Sequence, residues 1–142
     1  MQHIFHRIAR TQGRHMLLYT KTTSGVTISV QNQFLEERSN ILQQTFFFVY
    51  FISITNNGEQ PVQLLRRRWF IHDPAGTDYE VAGDGVVGEQ PIIAPGATYQ
   101  YNSFCVLKSF EGEMEGEYTM QREDGSTFEV EIPRFFLRAR TN

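Results

Sequence analysis

A chain of 142 residues with 40% apolar and 13% aromatic content has the size of one domain, able to bury its own core without metals or disulfides. The single cysteine, Cys105, excludes an internal disulfide, and no apolar run approaches the length of a membrane span, so the expected compartment is the cytosol. The formal charge of -3 is uneven: residues 1–24 carry Arg7, Arg10, Arg14 and Lys21 with no acid, so the remainder holds nine bases against sixteen acids, a balance that argues against nucleic acid and membrane surfaces as partners.

Residues 1–20 read as a basic, disordered leader and residues 21–142 as the folded domain. Residues 1–15 lack the apolar stretch of a secretory signal; Ile4, Phe5 and Ile8 make only a short amphipathic patch, and Met16 offers itself as a second start. His3, His6 and His15 all fall in this leader, which argues against a histidine metal site there.

Beyond Ser24 the chain reads as strands. Val26 to Leu35 alternates Val26, Ile28 and Val30 with Thr27, Ser29 and Gln31, the period-two pattern of a strand covered on one side. Thr45 to Thr55 is a β-branched and aromatic run stopped by Asn56-Asn57-Gly58. It places Phe48, Tyr50, Ile52 and Ile54 on one face and Phe47, Val49 and Phe51 on the other. The second set is expected to form an apolar interface, covered by the leader, by loops or by another chain.

Val62 to His72 follows, closed by Asp73-Pro74-Ala75-Gly76. Strict alternation puts Leu65, Arg67, Trp69 and Ile71 on one face and Leu64, Arg66, Arg68, Phe70 and His72 on the other. Trp69 is the expected core tryptophan, and an inward Arg67 requires either a carboxylate such as Glu80, Glu89 or Glu131, or an anionic ligand. Thr77 to Val81, Thr98 to Leu107, Glu113 to Gln121 and Thr127 to Leu137 complete about seven strands, and no window sustains helical periodicity. The fold class that results is all-β, an immunoglobulin or fibronectin type III-like antiparallel β-sandwich.

Between the fourth and fifth of these strands lies Gly83-Asp84-Gly85-Val86-Val87-Gly88-Glu89-Gln90-Pro91. It matches the G-x-G-x-x-G of dinucleotide folds, but Pro91 and Pro95 forbid the helix on whose N-terminus that motif seats a pyrophosphate. Two readings stay open. Gly83, Gly85 and Gly88 allow a tight crossover between sheets, or their amides, with Arg67 and Glu89 beside them, form a concave site for a phosphorylated molecule. Glu80, Asp84, Glu89 and His72 offer a mixed oxygen and nitrogen set for a divalent ion such as Mg²⁺ or Co²⁺, although no cofactor is required.

On the last two long strands an odd loop, Asp124-Gly125-Ser126, sets Met120 across from Val130 and Tyr118 across from Ile132, leaving a carboxylate stripe on the opposite face. Arg66 and Arg68 are expected to neutralise Glu115 and Glu117 of that stripe. Outside the leader there is one cysteine and one histidine, Cys105 and His72, with no activated nucleophile, so the chain is read as a non-enzyme.

The run Pro61 to Ile71, the segment Gly83 to Pro91, then Ile93-Ala94-Pro95-Gly96 and Tyr99-Gln100-Tyr101 together resemble the ApaG family. Gly112-x-Met114-x-Gly116-x-Tyr118 and Phe128-x-Val130-x-Ile132-Pro133-x-Phe135 agree with it, so that the likeness spans roughly Lys21 to Arg138. The leader and Asp84, where glutamate is common, depart from the pattern. The resemblance implies a fibronectin-like module without catalytic residues, associated with cobalt and magnesium efflux. It also implies a protein partner, and the apolar face of Phe47, Val49 and Phe51 adds a homodimer as an expectation.

Overall fold

The structure, a computed structural model, describes residues 17–140. The expectations for His3, His6, His15, the Ile4–Phe5–Ile8 patch and Met16 lie outside the described residues. Alternation becomes burial along most of the chain. Nine strands form among the described residues: β1 (Tyr19–Thr23), β2 (Val26–Phe34), β3 (Phe46–Asn56), β4 (Val62–His72), β5 (Tyr79–Asp84), β6 (Ile92–Ile93), β7 (Thr98–Leu107), β8 (Glu111–Arg122) and β9 (Thr127–Arg138). Two single turns of 3₁₀ helix, Glu36–Arg38 and Ile41–Gln43, join β2 to β3. Seven strands are those expected. β1 adds a polar strand that begins two residues inside the expected leader, and β6 is a two-residue strand.

The strands build two antiparallel sheets, one in the order β1-β2-β3-β7 and the other β5-β4-β8-β9 with β6 also paired to β4. The core lies between them. Ile28, Ile52, Leu64, Tyr118, Phe135 and Leu137 are among its fully buried side chains. Trp69 is 3% exposed and packs edge-on against Tyr50 and Phe135, with ring centroids 5.3 and 6.0 Å away. Such T-shaped pairs add about 0.5–1.5 kcal/mol to what area burial alone contributes.

Two irregularities correct the expected faces. The ladder between β4 and β8 shifts between Leu64 and Arg66, making Leu65 an extra residue on β4. A bulge lets two residues oppose one, so the alternation changes phase there. Leu64 therefore joins Trp69 and Ile71 in the core, where uninterrupted alternation had turned it outward. The second shift, between Met114 and Gly116, places Pro133 and Arg134 opposite Glu115, and the bulge spares the ladder a proline without a donor. The β8–β9 hairpin also closes two places away from expectation: Met120 pairs with Phe128 and Tyr118 with Val130. The loop is still odd, so apolar residues face apolar ones, but it turns around Asp124, whose carboxylate accepts from the backbone and hydroxyl of Ser126.

The sandwich has one sealed side and one open side. On the sealed side β1 lies against β9: Lys21 Nζ pairs with Glu131 at 2.5 Å, and Thr23 Oγ1 accepts the Glu131 amide. On the open side β7 and β5 are the edge strands of their sheets. Among the described residues no helix is long and apolar enough to cross a membrane.

Candidate binding site at the open side of the sandwich

The bulge at Leu65 determines where the glycine segment goes. Its carbonyl accepts the Gly85 amide at 2.8 Å and the Gln90 side-chain amide at 2.9 Å, while the Leu64 amide donates to the Pro91 carbonyl. The loop is thereby tied back along β4. Its tip is a tight two-residue turn: Val86 and Glu89 exchange both backbone hydrogen bonds, with Val87 at φ 48° and Gly88 at φ 79°. Positive φ at both central residues is the primed hairpin geometry, unusual for the β-branched Val87. Val86 anchors the turn in the core at 0% exposure.

The three glycines answer to different demands. A Cβ on Gly85, at φ 63°, would stand 2.2 Å from the Glu89 carbonyl oxygen; one on Gly88 would meet open space. Gly83, opposite Arg67 in the ladder, makes room for a side chain: its missing Cβ would lie 3.2 Å from both Nη atoms of Arg67. The Gly85, Val86 and Glu89 amides are all donated within the protein, so little of the loop's backbone remains to cradle a pyrophosphate.

Arg67 points between the sheets, with the phase change at Leu65 turning Leu64 the same way. Its Nη1 donates to the carbonyls of Asp84 at 3.0 Å and Gly85 at 2.9 Å. The carboxylates expected to pair with it are elsewhere. Glu80 holds Arg68 at 3.1 Å, Glu131 holds Lys21, and exposed Glu89 makes no ion pair among the described residues. Asp84 itself turns to Arg66 at 2.6 Å. Arg66 and Arg68 thus pair with β5 acids, and the expected bridges to Glu115 and Glu117 do not form.

Around Arg67 is a pocket of about 320 Å³ lined also by Tyr50, Trp69, Tyr101, Ser103 and the Asp84 to Gly88 turn. Tyr101 hydrogen-bonds through its hydroxyl to that of Tyr118, which is fully buried and opposite Arg67 on β8. Burial raises the pKa of Tyr50, Tyr101 and Tyr118 above the ordinary phenol value, and the Arg67 charge opposes that rise in all three. Of the residues singled out from the sequence, Gly83, Gly85, Gly88 and Arg67 lie together here, with Glu89 on the same turn but outside the pocket lining; Tyr50, Tyr101 and Ser103 were not singled out. Tyr101 and Ser103 share one face of β7 with Cys105, and Tyr50 stands opposite Ser103 on β3.

Farther along the open side a second hollow, about 410 Å³, is lined by Thr77, Tyr79, Val106 and Lys108 among others. Cys105 and Tyr79 meet beside it, and burial pushes the thiol up to about 11 and the phenol up to about 12. His72 lies on the outer surface, bonded through Nδ1 to Asp78 at 2.7 Å, away from Cys105 and from the glycine turn. Among the described residues no group of three or more His, Cys, Asp or Glu side chains is placed to hold a metal ion. The stripe Glu115, Glu117, Glu129 and Glu131 is present on the outer face; burial, then the neighbouring Glu129, raises the pKa of Glu117.

The face expected to be apolar and exposed is largely covered. Val49 is 6% exposed and Phe47 and Phe51 are half-buried, whereas Phe104 and Val106, opposite Val49 and Phe47 on β7, are 48% and 41% exposed. The guanidinium of Arg38 lies over the Phe104 ring, 5.3 Å from its centroid, and covers part of this apolar surface on the edge strand.

Comparison with known proteins agrees with this architecture. The chain is similar to Protein ApaG of Anaeromyxobacter dehalogenans, 47% identical over 118 residues that cover 83% of this chain and 93% of that relative. Protein ApaG of Methylobacterium sp. (strain 4-46) is 45% identical over 120 residues, 84% and 92% of the two chains. A crystal structure titled as an ApaA protein from Bordetella pertussis superposes with a TM-score of 0.79 at 39% identity, covering 87% of this chain and 99% of that one. With the ApaG domain model matching residues 36–122, across both sheets and the glycine turn, the chain belongs to the ApaG family.

Proposed function

We propose that this chain is a non-catalytic binding module whose partner is an extended segment of another protein, laid along the β7 edge. The observation that carries this is the edge itself. β7 runs for ten residues, pairs among the described residues with β3 alone, contains no proline and no lysine, and bears exposed Phe104 and Val106. Natural sheets blunt such edges unless something is to be added there, and strand addition supplies backbone hydrogen bonds while alternate side chains read the sequence.

The chemistry nearby supports binding over turnover, since the Cys105 thiol is pushed up by burial and His72 stands apart from it. A link to cobalt or magnesium homeostasis then acts through the partner, and a free buried cysteine fits a reducing cytoplasm. Pairing of two copies along β7 is the homodimeric form of the same contact.

Peptides selected from a random display library on the wild-type domain, mapped by backbone amide shifts, provide the test. Binders are expected to perturb amides from Tyr101 to Val106 and to weaken by roughly tenfold or more with Phe104→Lys plus Val106→Lys. Binders that map to the outer face of the second sheet, or that ignore the double variant, overturn the proposal. Sedimentation of the same pair of proteins distinguishes a dimer from a monomer awaiting its partner.

A further inference from the structure

Arg67 presents an unsolved charge balance. Its side chain is half-buried and faces between the sheets, and among the described residues only Nη1 is used, by two carbonyls. Nε and Nη2 have no protein acceptor and no carboxylate forms an ion pair with the guanidinium among the described residues. A guanidinium drawn partly out of water without a counter-charge is costly. Its geometry favours a planar two-oxygen acceptor, which engages two donors at once.

The pocket beside it selects among anions. Hydroxyl side chains Tyr50, Tyr101 and Ser103 line it, and its volume of about 320 Å³ has room for a short side chain behind the charged end. Asp84 lies in the lining and Glu89 is close enough to raise the pKa of Tyr99, after burial, which does most. Those charges, with the Gly85, Val86 and Glu89 amides already donated to protein oxygens, disfavour a phosphate dianion and tolerate a monoanion. Tyr101 and Ser103 belong to β7, so the pocket opens beside the strand on which a partner segment is to lie.

We infer that the Arg67 pocket is a carboxylate-binding site, filled by an aspartate, glutamate or C-terminal carboxylate of the segment that extends the sheet at β7. This inference deepens the strand-addition reading and rests on it for the source of the carboxylate.

The experiment titrates the wild-type protein with sodium acetate and, separately, with inorganic phosphate at matched ionic strength and pH. It follows the Arg67 side-chain resonances and the amides of Val87, Tyr101 and Ser103. Acetate is expected to give saturable shifts centred on Arg67, with phosphate at least about threefold weaker, and Arg67→Lys, which keeps the charge and loses the fork, is expected to weaken acetate by roughly tenfold. No saturable response in the wild-type protein, an equal response in Arg67→Lys, or phosphate binding as tightly as acetate overturns the inference.

Displayed peptides provide the second arm. Replacing their acidic residue by its amide is expected to cost roughly tenfold on the wild-type protein and at least about threefold less than that on Arg67→Lys. Peptides that bind β7 with no acidic residue sink the carboxylate assignment and leave strand addition standing. Acetate seated at Arg67 with no peptide on β7 does the reverse.

Discussion

Alanine at Gly85 is expected to destabilise the fold far more than alanine at either neighbouring glycine of the motif. Two terms add at this position. A residue with a Cβ in the left-handed region costs about 1–2 kcal/mol. The new Cβ would also stand 2.2 Å from the Glu89 carbonyl oxygen, a backbone atom fixed by the Val86–Glu89 bridge, and such overpacking costs about 1–3 kcal/mol. The sum is about 3 kcal/mol, a large part of the stability of a domain this size. Gly88→Ala carries only the first term, about 1 kcal/mol, because its Cβ would meet open space. Gly83→Ala meets only the side-chain end of Arg67 at 3.2 Å, which a shift of a few tenths of an ångström relieves, and is expected to cost about 0.5–1 kcal/mol. Urea unfolding followed by far-ultraviolet circular dichroism, with the slope held constant across the series, measures all three. Equal losses at Gly85 and Gly88, or no loss at Gly85, would refute the steric account. It would then favour glycines kept for a ligand alone.

Three further outcomes follow from the buried polar groups. Tyr101→Phe leaves the fully buried Tyr118 hydroxyl unpaired and is expected to cost about 1–2 kcal/mol, while Tyr101→Phe with Tyr118→Phe costs less than the sum of the singles; additive costs would mean the hydroxyl contact contributes nothing. Tyr50, Tyr101 and Tyr118 hold their protons more tightly in the folded chain than at the ordinary value of 10.0, so the unfolded chain ionises first and the stability present below pH 10 declines as the pH rises beyond it. Urea midpoints measured from pH 8 to pH 11 are expected to fall above about 10 and to fall less in the double phenylalanine variant; a flat profile contradicts the burial assigned to these phenols. Raising the Cys105 thiol from 9.0 to about 11 lowers its thiolate fraction roughly a hundredfold, so iodoacetamide at pH 8 is expected to label native protein at least that much more slowly than urea-unfolded protein. Equal labelling rates would place the thiol in solvent.

What the sequence made legible is what periodicity encodes. Val26, Ile28 and Val30, or Met114, Tyr118 and Met120, alternate without interruption, and the side on which they are buried follows directly. Leu64 and Leu65 are both leucines, so nothing in composition marks which is the extra residue; the bulge emerges only when β8 lies beside β4. β1 was missed because Tyr-Thr-Lys-Thr-Thr has no apolar alternation and is held by its neighbours: its ladder to β2 and its contacts with β9. At the site, the inward turn of Arg67 was legible from its neighbour Trp69. Its partners were not, because they are carbonyls of a loop that folds back, and a backbone acceptor leaves no mark in a sequence. Arg66 pairs with Asp84, its register partner on β5, and Arg68 reaches diagonally to Glu80 of the same strand although Glu117 stands opposite it on β8, a choice that alternation alone does not encode.

The chain's single tryptophan is part of the pocket wall. Iodide seated beside the guanidinium would come within quenching range of an indole that the core shields elsewhere, and a non-quenching carboxylate would restore the emission by displacing it. Occupancy of the pocket is therefore readable as light from the unlabelled protein, with no competing chromophore of the same kind in the chain.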